Sequence, residues 1–287
     1  LIRDTRSDLR SLSRVPGPHQ DETRELLSKL GMDTTPTEVD DNELPSVKTF
    51  AEALTEGQKR LERAETDSLG IAILQEQGKT SELEQLEAKI SSTRKQALSL
   101  FQSGLALYRD EDNDLAGLYQ ARFSMSYLYL REQQPWKSLV IARFVAENNA
   151  GSPIGLKAAS VGLGAFSNIW RTAGEGDRKA LTDYLDPFAT YLVKTWPDSQ
   201  EAAASSTALV QAALINGQWD KVDQFLALAP KEGEAMLGLR RDAGISFFNR
   251  YLDEKKKSGD SAAAKSLKKR AYEWLQIATK DLDVSQL

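Results

Sequence analysis

Four breaks at nearly even spacing divide the second half of this chain: Gln134-Pro135, Gly174-Glu175-Gly176, Gly217 and Gly259. Centred at 134, 175, 217 and 259, they lie 41, 42 and 42 residues apart, and the stretches between them carry helical apolar periodicity. A fixed period of this size is expected of stacked helical hairpins, because each unit can bury its apolar face only against its neighbours. Further turns at Asn149-Ala150-Gly151-Ser152-Pro153, Trp196-Pro197-Asp198-Ser199 and Pro230-Lys231-Glu232-Gly233 separate one hairpin from the next. Proline and glycine stop the helix there, and Ser or Asp can cap its successor. Four helix pairs are thereby delimited at 114–149, 154–196, 199–229 and 234–280.

The upstream part reads differently. Residues 2–14 and 19–30 suggest two short helices parted by Pro16-Gly17-Pro18, an amino-terminal arm spanning 1–30. Residues 31–45 form an acidic linker with Pro36 and Pro45. Its Asp33, Glu38, Asp40, Asp41 and Glu43, with no lysine or arginine, equal the whole net charge of −5. From 46 to 113 apolar residues recur in sevens: Val47, Leu54 and Leu61 on one row, Phe50, Ala64 and Ile71 on another, then, past Gly78, Leu83, Ile90 and Ala97 with Leu86 and Leu100. The pattern predicts a long antiparallel hairpin turning at Gly78, with Ser46 capping the first arm and Ser81 with Glu84 opening the second. Asp110 to Asp114 ends that arm and caps the next helix, where the array of 114–287 begins.

Composition excludes several chemistries. The 37 basic and 42 acidic residues are mixed along the chain, which argues against nucleic acid as a partner. No run approaches the ~20 apolar residues of a membrane span. Without cysteine there is no disulfide, thiolate metal site or cysteine nucleophile. His19 is the single histidine, so one chain cannot assemble a two-histidine zinc site, and a histidine-based triad would have only this residue, read as an exposed helix start. Asp110, Asp112 and Asp114 have the alternation of a calcium loop but Leu115 and Ala121 stand where it needs glycine and glutamate. Gly78-Lys79-Thr80 resembles the end of a phosphate loop, yet Ile73 replaces its first glycine and no strand precedes it. Ser92/Lys95 and Ser266/Lys269 have SxxK spacing without companion motifs, and Glu82, Glu84 and Glu87 read as a solvated helix face. No catalytic residue, metal ligand or cofactor site is therefore expected. One local charge excess remains: from 251 to 272 seven basic residues face Asp253, Glu254 and Asp260, read as a solvated last hairpin or, more sharply, as a contact for an acidic partner or anionic surface, for which the acidic linker 33–43 is a candidate within or between chains. The five tryptophans, Trp136, Trp170, Trp196, Trp219 and Trp274, fall at turns and helix ends and are expected to pack between hairpins.

Residues Ala121 to Pro153 resemble a tetratricopeptide repeat: Tyr127-Leu128-Tyr129-Leu130, a polar turn, Trp136, then Leu139, Ala142 and Val145 before Pro153. Ala208 to Pro230 is similar, through Leu209, Ala213, Gly217, Trp219, Val222 and Phe225. The period exceeds the family's 34 residues and Val222 stands where alanine is usual. The resemblance implies an all-α fold, a right-handed α-solenoid of antiparallel helix pairs, that binds a protein or peptide on its concave face. Were the first helix of each pair to line that face, its contacts would include Arg122, Asn168, Arg171, Gln211, Arg240 and Asn249, side chains able to hold a peptide backbone or carboxylates. The long hairpin is loosely similar to periplasmic coiled-coil and tetratricopeptide proteins of bacterial envelopes, which implies an extracytoplasmic setting. A self-associating structural component is the alternative expectation, and an enzyme of unrecognised type a remote one. The start at Leu1 is that expected of a processed product or an excised piece.

Overall fold

The computed structural model describes residues 44–229 and 233–279; the amino-terminal arm, His19 and nearly all of the acidic linker lie outside these. The protein is all-α: the described residues form ten α-helices and one 3-10 turn, with no strand. Contacts divide the chain into two units, Leu1–Gln134 and Pro135–Leu287.

In the first unit, α1 (Phe50–Glu76) and α2 (Thr80–Leu107) pack on each other and α3 (Leu115–Arg131) packs on both. Thr49, not Ser46, caps α1: its hydroxyl accepts from Glu52 N–H at 3.2 Å, while the Glu52 carboxylate accepts from Lys48 N–H at 2.8 Å. Two orphan amides are satisfied together, which fixes the start three residues later than expected. The arms turn at Gly78, whose φ of +67° suits glycine; Lys79 N–H donates to Leu74 O and Gly78 N–H to Gln75 O, closing the exposed end of α1. Helix α2 then begins at Thr80 with Lys79 at its cap and no side-chain cap bond, so the expected capping box of Ser81 and Glu84 is not formed.

Contacts run in opposite senses along the two arms, Gly57 meeting Phe101, Arg94 meeting Glu65 and Lys89 meeting Asp67, so the hairpin is antiparallel. The buried row of α1 is Phe50, Ala53, Gly57, Arg60 and Ala64, alternately three and four apart. Val47 precedes the helix, and Leu54 reaches Gly117 of α3 instead of the seam. Small residues are needed because Phe101 of α2 is fully buried over Gly57, where an added Cβ would stand 2.8 Å from its ring. Arg60, 5 % exposed, donates to Gln96 across the arms, so this buried charge retains a polar partner. Glu65 binds the three helices at one place, taking Arg94 at 3.2 Å and the Tyr127 hydroxyl at 2.7 Å, with Arg131 donating to that hydroxyl at 2.8 Å. Burial, then the bond to Glu65, pushes the Tyr127 hydroxyl pKa up. This attachment is why α3 groups with the hairpin, so the contact boundary falls after Gln134 and not at the 113/114 limit drawn from the sequence. Asp114 caps α3 through Gly117 N–H at 2.8 Å, and Asp112 accepts from Arg109 N–H at 2.7 Å. The alternate aspartates thus serve helix ends.

The second unit contains α4 (Pro135–Asn148), α5 (Pro153–Thr172), α6 (Glu175–Thr195), α7 (Gln200–Ile215), α8 (Trp219–Leu228), α9 (Glu234–Ser258) and α10 (Ala262–Thr279). Helix ends coincide with the glycine and proline breaks near 134, 175, 217 and 259. Ser152, Ser199 and Ser261 accept amide bonds at the starts of α5, α7 and α10. Pro187 lies within α6, supplying no amide to the carbonyl of Asp183 one turn earlier. Helix α7 is central, packing on α5, α6, α8 and α9. Its buried Ala202, Ser205, Ser206, Ala212 and Ala213 make this possible, since short side chains let several helices approach one axis. The two serine hydroxyls donate to Ala202 O, at 2.9 Å each, so neither is stranded in the core.

Candidate binding surface

Helix α7 packs on both α5 and α9. Each of the three keeps one stripe exposed opposite its buried side. On α5 the stripe is polar, with Lys157, Ser160, Ser167 and Arg171; on α7 it holds Ala204, Gln211 and Ile215. Helix α9 differs because it has two apolar stripes. Met236, Leu239, Ala243, Phe247 and Tyr251 form its core side, whereas Ile245, Phe248 and Leu252 are 46, 42 and 39 % exposed. Their spacing of three and four residues puts them on one helical face, flanked by Arg241 and Asn249.

The residues named from the sequence fare unequally. Asn168 and Arg171 come together on α5, where the guanidinium donates to the Asn168 amide oxygen. Gln211 and Asn249 are exposed, as a contact role requires. Arg122 lies half-buried on α3, in the first unit. Arg240 must be corrected: it is 4 % exposed, and its guanidinium approaches Ala229 O at 3.4 Å and Met236 O at 3.5 Å. Burial lowers its pKa, and its charge is spent on the end of one helix and the start of the next. Trp136 also departs from expectation, being 52 % exposed beside Tyr184, ring centroids 6.4 Å apart. The exposed stripe of α9 is not among the residues expected from the sequence; its signal is a second apolar row beside the core row of one helix.

Helices α6, α8 and α10 are joined by polar contacts. Lys221 of α8 donates to Asp183 of α6 at 2.6 Å and lies 3.5 Å from Asp186; that bond holds the Asp183 pKa down and the Lys221 pKa up. Arg270 of α10 stacks on Phe247 at 4.4 Å, donates to Trp219 O, and places Nε 2.5 Å from Asp223, which also accepts from Trp274 Nε1 at 2.7 Å. Beside Arg270 is an open hollow of about 560 Å³, lined also by Gln218, Lys221, Arg250, Glu254 and Ser266. It pairs no nucleophile with a base, and among the described residues no three His, Asp or Glu side chains converge as metal ligands. No described helix is long and apolar enough to cross a membrane. Searches against family models, curated proteins and solved structures each returned no match, so the geometry alone carries the reading that follows.

Proposed function

We propose that the described helices from α4 to α10 form a tetratricopeptide-like right-handed array and that the protein is a non-catalytic module holding a protein or peptide partner along α5, α7 and α9. The observation that carries this reading is the second apolar stripe of α9. Its core stripe already satisfies the packing of the helix, so Ile245, Phe248 and Leu252 leave apolar area to a partner; with 39–46 % of each still open, covering it is worth roughly 0.6–1.4 kcal/mol per side chain, the matching share of a full burial. Gln211 on α7 and Arg171 with Asn168 on α5 carry donors and acceptors suited to a peptide backbone. Contacts of α7 with α5 and α9 support the side-by-side order of first helices that such an array needs. The test is affinity capture from extracts of the source cells with the intact chain beside an Ile245→Asp/Phe248→Asp chain. A defined protein retained by the first and lost by the second agrees with the reading; equal retention removes it.

A self-associating scaffold is the second reading, favoured by Leu69 and Ile73 of α1, 55 and 39 % exposed one helical turn apart. Sedimentation velocity separates the two. Association abolished by Leu69→Glu/Ile73→Glu supports the scaffold, and a monomer at all concentrations excludes it.

A further inference from the structure

Helices α6, α8 and α10 share a register. Leu185 of α6, Val222 of α8 and Ala271 of α10 are buried at 1, 0 and 1 % exposure. The residue before each turns back to α4, α6 and α8 respectively: Tyr184 lies under the guanidinium of Arg143 at 5.3 Å, Lys221 meets Asp183 and Asp186, and Arg270 meets Asp220 at 3.3 Å and Asp223. The residues two before and one after the buried position face the next helix. On α6 they are Asp183 and Asp186, and on α8 Asp220 and Asp223, so each internal step offers two carboxylates to one incoming cation.

On α10 the same two places are Lys269 and Tyr272, with 77 % of the lysine side chain and 65 % of the tyrosine exposed. The polarity of the forward face has reversed. Lys265 and Lys268 extend that face, and Lys255 to Lys257 close the end of α9 beside it. Among the described residues Lys269 reaches only its own helix neighbour Glu273, at 3.7 Å, and Lys265 and Lys268 make no ion pair. Lys268 instead lies 6.0 Å over the ring of Tyr251.

We propose that the outer face of α10, formed by Lys265, Lys268, Lys269 and Tyr272, docks an acidic helical segment of a partner protein. The partner presents carboxylates three or four residues apart, repeating the contact between α6 and α8 with the charges exchanged. The proposal is independent of the α9 stripe, needing only the register of α6, α8 and α10. Carboxylates are favoured over a phosphate polymer or lipid surface because both ion-paired steps of this register, α6 with α8 and α8 with α10, set a cation against two carboxylates.

The test is fluorescence anisotropy of a labelled alanine-rich helical peptide with glutamates three and four residues apart on one face, titrated with the full chain at low salt. Binding is expected, falling about tenfold or more in Lys265→Glu/Lys268→Glu/Lys269→Glu. It should persist in Lys48→Glu/Lys59→Glu/Lys79→Glu, which makes the same change in net charge on another part of the protein. Equal losses in both variants, no loss in the first, or no binding at all overturn the proposal. So does equal affinity for the glutamine version of the peptide, or tighter binding of a single-stranded DNA 20-mer or phosphatidylserine vesicles. Circular dichroism of both variants checks that the helices remain.

Discussion

The ion pair between Arg270 and Asp223 links α10 to α8, and a double-mutant cycle measures it. Arg270 keeps 18 % of its side chain exposed and Asp223 34 %, so the pair is partly desolvated and screened less than a surface pair. Its Nε is 2.5 Å from Asp223 without a well-directed hydrogen bond, so the contact counts as ionic, at ~1–2 kcal/mol after solvent screening. Stacking on Phe247 contributes about 0.5–2 kcal/mol more. Arg270→Met keeps much of the apolar stem over the ring but removes the charge and the bond to Trp219 O; Asp223→Asn retains an acceptor for Trp274. Each single variant should lose ~2 kcal/mol, and the double variant ~1–2 kcal/mol less than their sum. Urea unfolding followed by tryptophan fluorescence is the assay, since Trp219 and Trp274 flank the pair. Additivity within about 0.3 kcal/mol would refute the claim that this ion pair joins α8 to α10.

Other outcomes follow from the same packing. Phe101→Ala should cost ~3–5 kcal/mol in chemical unfolding, because the ring is fully buried between the arms; Gly57→Val should also destabilise, through collision with that ring, and a neutral result for either would contradict the seam. Asp114→Ala should cost ~1 kcal/mol by leaving the α3 amide of Gly117 uncapped, whereas Asp110→Ala, which caps no α-helix, should cost less. The pKa of Asp183 is lower in the folded chain, so its pairing stabilises above the unfolded value of about 4 and is lost as pH falls through the lower folded value. For Lys221 the sign is opposite, stabilisation being lost as pH rises through its raised folded value. A Lys221→Met chain should therefore show a flatter stability profile at both pH extremes, and an unchanged profile would deny the pairing.

The helix breaks were legible because proline and glycine act through the backbone alone: Pro135, Pro153, Gly78 and Gly217 stop or start helices whatever surrounds them. The cap of α1 was harder, since Ser46 and Thr49 both qualify and only the return bond of Glu52 decides between them. Large apolar residues made α1 look like two heptad rows, yet its seam depends on Gly57, Ala53 and Arg60, which apolar periodicity does not weigh. Arg240 could have been excluded from the sequence, for it shares a helical row with Met236, Ala243 and Phe247 of the core. The aspartate pairs 183/186 and 220/223 are visible as a repeated spacing, but the cations they receive come from another helix, 35 to 50 residues later. Tertiary packing alone brings them together.

The proposed partner contact is with the exposed stripe of α9. Its most direct test is a photo-crosslinking phenylalanine analogue at position 248, irradiated in cells, beside the same analogue at the exposed position 82 on α2. A discrete protein adduct is expected at 248, absent at 82 and lost on adding Ile245→Asp/Leu252→Asp. The same adducts at both positions, or an adduct at 248 that survives those substitutions, would contradict it.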